Sequence, residues 1–485
     1  VAKNVMRPRI RQEIARADHT TNDYGSFSGE FTAPRDRVMG AMSIQVLDGD
    51  GSANIQVEEY KRPKFQVELK APVEAAKLDA PVVVTGMATA YTGVGIGGAK
   101  VKWRVERGVQ LPYWCWWWQP PATKAIAHGT ALTEPDGTFN IEFPAQPDRS
   151  VPAKNEPVFV FRIHADVTDT TGETRSDQRV VRSGYTALTA TLSAAEWQTP
   201  ETPVELAIAT TSLDGDAQPA EGTVKIHALK QPAAVARALL QRDRWWWRSG
   251  GEEPKADPTN PDTWELGDVV AERAFTTDAT GKTTVSAELK SGIYRASLTT
   301  RDRFGRTVTA RETVQVVEPS DAHYGVKLPN HFSSPAWAIE PGETFSALWG
   351  TGYEHGRAFV ELECRGKPLK SYWTDADRTQ TLIELPVRES MRGGFTVRVT
   401  YVHENRAYFN ERVVNVPWSN KQLSIKWESF RSKLMPGAKE TWTAVVTGPD
   451  AKRASAEMVA ALYDASLDQF LPHEWPHAFD VFRSE

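Results

Sequence analysis

Along most of the chain, apolar and polar side chains alternate in short runs, each closed by Gly, Asn, Asp or Pro. Alternation sends successive side chains to opposite faces of an extended backbone, so each run predicts a half-buried strand. The clearest are FQVEL (65–69), KVKWRVE (100–106), VFVFRIHADV (158–167), TVKIHAL (223–229), FVELEC (359–364) and FTVRVTYV (395–402). These runs recur in a fixed order, which marks a repeated architectural unit. Near the end of each unit, a strand passes through a hairpin turn into a return strand. The four hairpins lie at 39–60, 158–182, 292–317 and 393–416. The first turns through DGDG, where Gly supplies positive φ without steric cost. Three hairpins are preceded by a Gly-containing turn and a further strand: YGSFSGEFTAP (24–34), DGTFNIEFPA (136–145) and, more loosely, TGKTTVSAEL (280–289).

About seven strands in every ~100–140 residues fit Ig-like or fibronectin-like sandwiches, so the expected fold class is all-β, with tandem β-sandwich domains. The chain has 485 residues. That exceeds the roughly 250–300 residues one core can serve, so several domains are required. Boundaries are expected near residues 60, 184, 320 and 418. Residues 1–60 then hold the closing part of a sandwich. Complete units follow at 61–184, at 185–320 with a Trp-rich insert, and at 321–418, and residues 419–485 hold an opening part. A chain stopping in mid-sandwich would leave a strand edge unpaired, so the sequence is expected to be a piece of a longer one. One short helix is expected inside the insert, in AAVARALLQRDRWWW (233–247), where Ala233, Ala234, Arg237 and Leu240 stand near helical spacing.

Composition narrows the function. Hydrophobic residues make up 40% and charged residues 25%, the balance of a packed chain. Lys and Arg number 57 against 62 Asp and Glu, a net charge of −5. No basic field exists to draw in a phosphate backbone, which argues against nucleic acid as a partner. No run of about 18 apolar residues is present, so no transmembrane segment is expected. The opening VAKNVMRPRIRQ has basic residues without the apolar stretch of a signal peptide. Cys115 and Cys364 are too few for a disulfide scaffold or a Cys-rich zinc site, and read as buried thiols.

At 57–65 the chain reads VEEYKRPKF. Val57 and Tyr60 close one strand, Pro63 blocks a helix and sets an extended backbone, and Phe65 opens the next core. Glu58, Glu59, Tyr60, Lys61, Arg62 and Pro63 in this string resemble the segment between early macroglobulin domains of bacterial α-2-macroglobulin-type protease inhibitors. ALYDASLD (461–468) is similar to a second signature of that family, in the domain preceding its bait region. The resemblance implies macroglobulin-like domains. It also implies a role as scaffold in a broad-spectrum endopeptidase inhibitor, in which a protease cuts the bait, the domains rearrange and a Cys–Gln thioester captures it. The implied partners are proteases, reached through the longer parent, and neighbouring macroglobulin domains; the implied location is periplasmic or extracellular. The family's thioester motif is Cys-x-Glu-Gln, and neither Cys115, followed by WWWQ, nor Cys364, followed by RGKP, fits it, so no thioester is assigned in this chain.

Other candidate chemistry is weighed on its residues. His473, Glu474, Trp475, Pro476 and His477 match the H-E-x-x-H zinc pattern in form. That pattern needs a helix, and Pro476 would break one at a cost of about 3 kcal/mol, so no metal is expected. DGDG (48–51) lacks the remaining acidic ligands of a calcium loop and reads as a turn. GVGIGGAK (93–100) lacks the Lys-Ser/Thr pair of a phosphate loop and opens a strand. No Gly-x-Ser-x-Gly elbow occurs. The expected sets of catalytic residues and cofactors are therefore empty, and the chain is read as no enzyme. Two tryptophan clusters remain: Trp114, Trp116, Trp117 and Trp118, and Trp245, Trp246 and Trp247. Each lies in an insertion after the matching strand of successive units. They read as patches packed between domains, Arg244 and Arg248 being placed to stack on the second; the competing reading is a carbohydrate- or surface-binding array. The repeats alone would also suit a structural spacer of a cell-envelope protein.

Overall fold

A computed structural model describes residues 13–23, 25–30, 32, 40–47, 51–57, 64–72, 76–111, 120–238, 257–431, 437–449, 456–458 and 460. They fall into two units, one up to Lys64 and the other from Phe65 onward. In the first, β1 (Gly40–Gln45) and β2 (Ser52–Val57) form the expected hairpin, in register from Gly40 opposite Val57 to Gln45 opposite Ser52. The strand expected in YGSFSGEFTAP is absent among the described residues 25–30 and 32. There the backbone turns back on itself instead: Asn22 N–H donates to the Ser26 carbonyl, and Ser26 N–H donates to Asn22 Oδ1. Those local bonds use the groups that a sheet neighbour would need.

The second unit contains three sandwiches of identical topology. Module A comprises β3 (Phe65–Leu69), β4 (Pro81–Ala90), β5 (Lys100–Gln110), β6 (Lys124–Leu132), β7 (Thr138–Pro144), β8 (Val158–Thr168) and β9 (Thr174–Gly184). Module B comprises β10 (Thr189–Ala194), β11 (Val204–Thr211), β12 (Glu221–Leu229), β13 (Leu266–Thr276), β14 (Lys282–Ala287), β15 (Gly292–Arg301) and β16 (Thr307–Val316). Module C comprises β17 (His331–Ser333), β18 (Thr344–Gly350), β19 (Ala358–Cys364), β20 (Lys367–Trp373), β21 (Gln380–Pro386), β22 (Phe395–His403) and β23 (Arg406–Val414). Each pairs a three-stranded with a four-stranded antiparallel sheet: β3-β4-β7 with β6-β5-β8-β9, β10-β11-β14 with β13-β12-β15-β16, and β17-β18-β21 with β20-β19-β22-β23. A last hairpin, β24 (Ser424–Ser429) with β25 (Thr443–Thr447), has every residue of β24 exposed.

The alternation read in the sequence is what makes these layers. FQVEL buries Phe65, Val67 and Leu69 and exposes Gln66 and Glu68. Those three meet Val101, Phe159, Phe161 and Ile163 of the facing sheet in one core. Modules B and C have their own cores, around Leu206, Ile226 and Leu298, and around Phe345, Trp349 and Tyr401. Each fully buried Phe, Leu or Ile contributes about 1.5–3 kcal/mol against the entropy of ordering the chain. Cys364 is buried in the third core with its Sγ 3.4 Å from the Gly394 carbonyl, as the reading of a buried thiol expects; Cys115 lies outside the described residues.

The recurring turn-then-strand phrase has a physical cause. Asp136 Oδ1 accepts from Thr138 N–H at 2.9 Å and from its hydroxyl at 2.7 Å, and Asp278 does the same with Thr280. Those bonds, the Thr hydroxyl first, hold both carboxyls below the usual aspartate range. Gly137 has φ +87°, and a Cβ there would stand 2.2 Å from the Ala88 carbonyl oxygen. Gly172 has a similar φ of +84° but open space around it. Gly137→Ala is therefore expected to cost about 2 kcal/mol and Gly172→Ala about 1 kcal/mol, since only the first adds a backbone collision to the strain. Thermal unfolding of the two variants measures the difference, and equal losses would rule out the collision.

Candidate functional site

The two Trp-rich insertions leave their modules from corresponding places. The first leaves β5, whose last residue Gln110 stands in register with Val158 and, through it, with Gly184, where the chain departs for module B. The second leaves β12, whose end lies beside the β15–β16 ladder from Gly292 to Val316, where the chain departs for module C. The described stems thus emerge at successive joints. All seven tryptophans of the two clusters lie outside the described residues, as do Glu58 to Pro63 of the linker, Asp48 to Asp50, the segment 461–468 and His473 to His477.

The two joints differ in chemistry. Between A and B the contacts are polar. Arg182 N–H donates to Asp214 Oδ1 at 2.9 Å, and its guanidinium lies 3.6 Å from the same oxygen. Ala187 N–H donates to Asp302 Oδ2 at 2.8 Å, and Lys77 Nζ stands 5.2 Å from the centre of the exposed Phe304 ring. Partial burial lifts the Asp214 carboxyl above its ordinary range. Between B and C lies a fourth apolar cluster. It comprises Leu229, Trp264 and Ile293 from module B, Val317, Tyr324 and Val326 from the connecting segment, and Leu348 from β18. Leu348 is fully buried although it points away from module C's own core, opposite to Ala347 and Trp349. A Cβ on Gly350 would meet the Tyr324 ring at 2.7 Å, so the connecting segment lies directly on the β18 backbone.

Polar bonds close the edges of this cluster. Gln315 Nε2 donates to the Tyr324 hydroxyl, Tyr324 N–H donates to Thr379 Oγ1, and the buried Gln380 amide donates to the carbonyls of Glu318 and Asp321. His331 stacks on Tyr324 with ring centres 5.3 Å apart and planes 14° apart, its Nε2 2.8 Å from Ser333 Oγ. Burial drives the Tyr324 hydroxyl far above its ordinary pKa and pushes the imidazole down to about 4.

The stems of the second insertion bind the same joint. On the outgoing side, Gln231 Oε1 accepts from Lys327 N–H at 2.7 Å, its amide donates to the Gly325 carbonyl, and Ala238 O accepts from Arg406 Nε at 2.7 Å. The helix expected over 233–247 is therefore not found in its described part: 233–238 is a bend and irregular chain. Helical spacing gives way because the chain is tied at Gln231 to the B–C connecting segment and at Ala238 to Arg406 of module C. On the returning side, Asp262 lies 3.2 Å from Arg295, whose buried guanidinium also donates to the Pro261 carbonyl at 2.8 Å. Burial holds that guanidinium below its ordinary pKa. Trp264 bonds through Nε1 to the Pro258 carbonyl and places its ring in the joint cluster.

Two open surfaces could in principle hold a small ligand. A groove of about 830 Å³ runs along the outer face of β10-β11-β14, lined by Ser193, Trp197, Glu205, Thr284 and Ser286 among others. It offers one carboxylate without a base or nucleophile partnered to it. On the outer face of module A, His164 Nε2 is 4.0 Å from Glu106, while Ser176 Oγ donates to Asp166. A nucleophilic serine would have to bond the imidazole, and here it bonds the carboxylate instead. Among the described residues no group of three His, Cys, Asp or Glu could hold a metal ion. An exposed aromatic row that sequence reading missed crosses the outer face of module C. Trp373 packs on Phe359 at 5.1 Å, and Phe409, 76% exposed, follows across Thr400 in the same register row. Its signal in the sequence is the presence of Phe359 and Phe409 at the polar positions of their alternating strands.

These features define a tandem array of antiparallel β-sandwich modules. No family model matches the chain. An α-2-macroglobulin homolog of Nostoc sp. strain PCC 7120 is 28% identical over 99 residues, which is 20% of this chain and 5% of that protein. That match supports the α-2-macroglobulin family as the one this chain resembles. Similar solved structures include trypsin-activated α-2-macroglobulin from Escherichia coli, at 12% identity and a TM-score of 0.40, covering 85% of this chain and 28% of that one. Salmonella α-2-macroglobulin reacted with methylamine is 11% identical with a TM-score of 0.31, covering 87% of this chain and 28% of that one. The chain thus spans about a quarter of the length of those proteins.

Proposed function

We propose that these modules are the non-catalytic scaffold of an α-2-macroglobulin-like endopeptidase inhibitor. The observation that carries the reading is the 28% identical segment of a curated α-2-macroglobulin homolog, on a chain folded as successive β-sandwiches. On this reading, macroglobulin domains occupy 61–184, 185–320 and 321–418, with 1–60 and 419–485 belonging to neighbouring domains. Proteases are the partners of the longer protein, and bait and trap lie elsewhere in it. The domains seen here hold those parts at set positions and do no chemistry themselves. The setting is periplasmic or extracellular. No helix among the described residues is long and apolar enough to cross a membrane.

The test compares the 485-residue chain with the longer protein, each incubated with trypsin, elastase and subtilisin before a protein substrate is added. The longer protein is expected to suppress cleavage by all three, while the chain alone leaves every rate unchanged. Suppression by the chain alone, or none by the longer protein, would overturn the reading.

A further inference from the structure

The joint between modules B and C is unlike a flexible domain contact. Contacts between domains of one chain are as a rule small and polar, and relative motion is the default expectation unless the interface is large and hydrophobic. The A–B joint fits that rule. Its bonds are an ion pair between Arg182 and Asp214, amide bonds to Asp214 and Asp302, and a cation over an exposed ring. Its connecting segment places Tyr185 on module A's core, 6.1 Å from the Phe159 ring, and buries Leu188, while a Cβ on Gly184 would meet Leu213 at 3.1 Å; no apolar cluster drawn from both modules forms there among the described residues. The cores of modules A and B remain separate clusters.

The B–C joint breaks the rule in three ways. It has its own buried core, drawn from both modules and the segment between them. It leaves Leu348 with no exposed surface on what would otherwise be an open sheet face. It is also bridged by the outgoing stem of the insertion, through Gln231 to Gly325 and Lys327, the neighbours of Val326 in that core, and through Ala238 to Arg406. A hinge between B and C would have to expose Tyr324 and Leu348 to water and break those side bonds together.

We infer that modules B and C form a single rigid body, clasped by the stem of the β12–β13 insertion, and that the chain bends at the polar joint between A and B. The insertion is then a structural brace whose outgoing arm reaches into the next module. Its returning arm is fixed to its own module by Arg295 and delivers Trp264 into the shared core. A rigid B–C body and a bend at the A–B joint are properties of these modules whether or not the longer protein traps proteases.

The whole 485-residue chain tests it. Spin labels are placed as unnatural amino acids at the exposed Thr130, Thr309 and Lys370, one each in modules A, B and C, which leaves both cysteines intact. Pulsed dipolar measurements should give one narrow distance between Thr309 and Lys370 and a broad distribution between Thr130 and Thr309. Equal widths, or the reverse order, would overturn the inference. The double variant Gln231→Ala, Arg406→Ala removes the outer bonds without touching any core, so the modules should keep their unfolding temperatures. In it, the Thr309–Lys370 peak should broaden. A peak of unchanged width would remove the stem from the mechanism.

Discussion

A chain carrying Leu348→Ala is expected to lose about 3 kcal/mol of stability, as buried leucines do when truncated. The magnitude follows from where the side chain sits. Leu348 is 0% exposed yet belongs to the joint cluster and not to module C's own core. Its cover comes from Tyr324, Val326 and module B, so truncation opens a cavity between modules. Leu382 stands directly opposite it on β21 and shares the same sheet face, but keeps 36% of its surface exposed. Leu382→Ala is expected to cost about 0.5 kcal/mol or less, as for most surface substitutions. Urea unfolding followed by tryptophan fluorescence reads both, because Trp349 adjoins the site and is fully buried. If the two variants lose stability equally, the joint does not cover Leu348 in solution.

The strands of the three modules were legible because their faces are unlike. FQVEL, TFNIEFP and VFVFRIHADV each bury every second residue, and periodicity reads that directly. The joint was not legible, since Leu229, Trp264, Ile293, Tyr324 and Leu348 come from five separated places and meet only in the folded chain. A trace of it was present. In β18 the run Ala347-Leu348-Trp349 is apolar without alternation, and Ile293-Tyr294 in β15 is too. A strand apolar on both faces is covered on both faces, so these runs marked the places where a second layer lands. The missing helix at 233–238 failed for the complementary reason: local spacing favoured it, and three bonds to distant residues, two in the connecting segment and one in module C, outweighed a propensity worth tenths of a kcal/mol per residue. Trp264, which enters the joint, stands alone in a short turn that no pattern in the sequence singles out.

Acid should weaken the same joint. His331 stacks on Tyr324, bonds Ser333, and is pushed down to about 4 by burial. An imidazole in the unfolded chain titrates near 6.5, so between these two values the unfolded chain binds the proton that the folded one refuses. Stability then rises with pH across this window. Equivalently, it is whole above 6.5, falls progressively as the pH drops toward 4, and changes no further from this group below that. The full drop is about 3 kcal/mol if the ring stays desolvated. Carboxylates also titrate near the lower end of the window, so the measurement is a difference. His331→Phe keeps an aromatic ring on Tyr324 and removes the proton site. Unfolding free energies of the native chain and the variant, measured by urea at steps from pH 7.5 to 4, should diverge as the pH falls, the native chain losing more. The divergence should begin below pH 6.5, above the carboxylate range, because the ground lost there belongs to the neutral imidazole. Parallel curves would mean that His331 takes up its proton in the folded chain as readily as in the unfolded one, and that water reaches the joint.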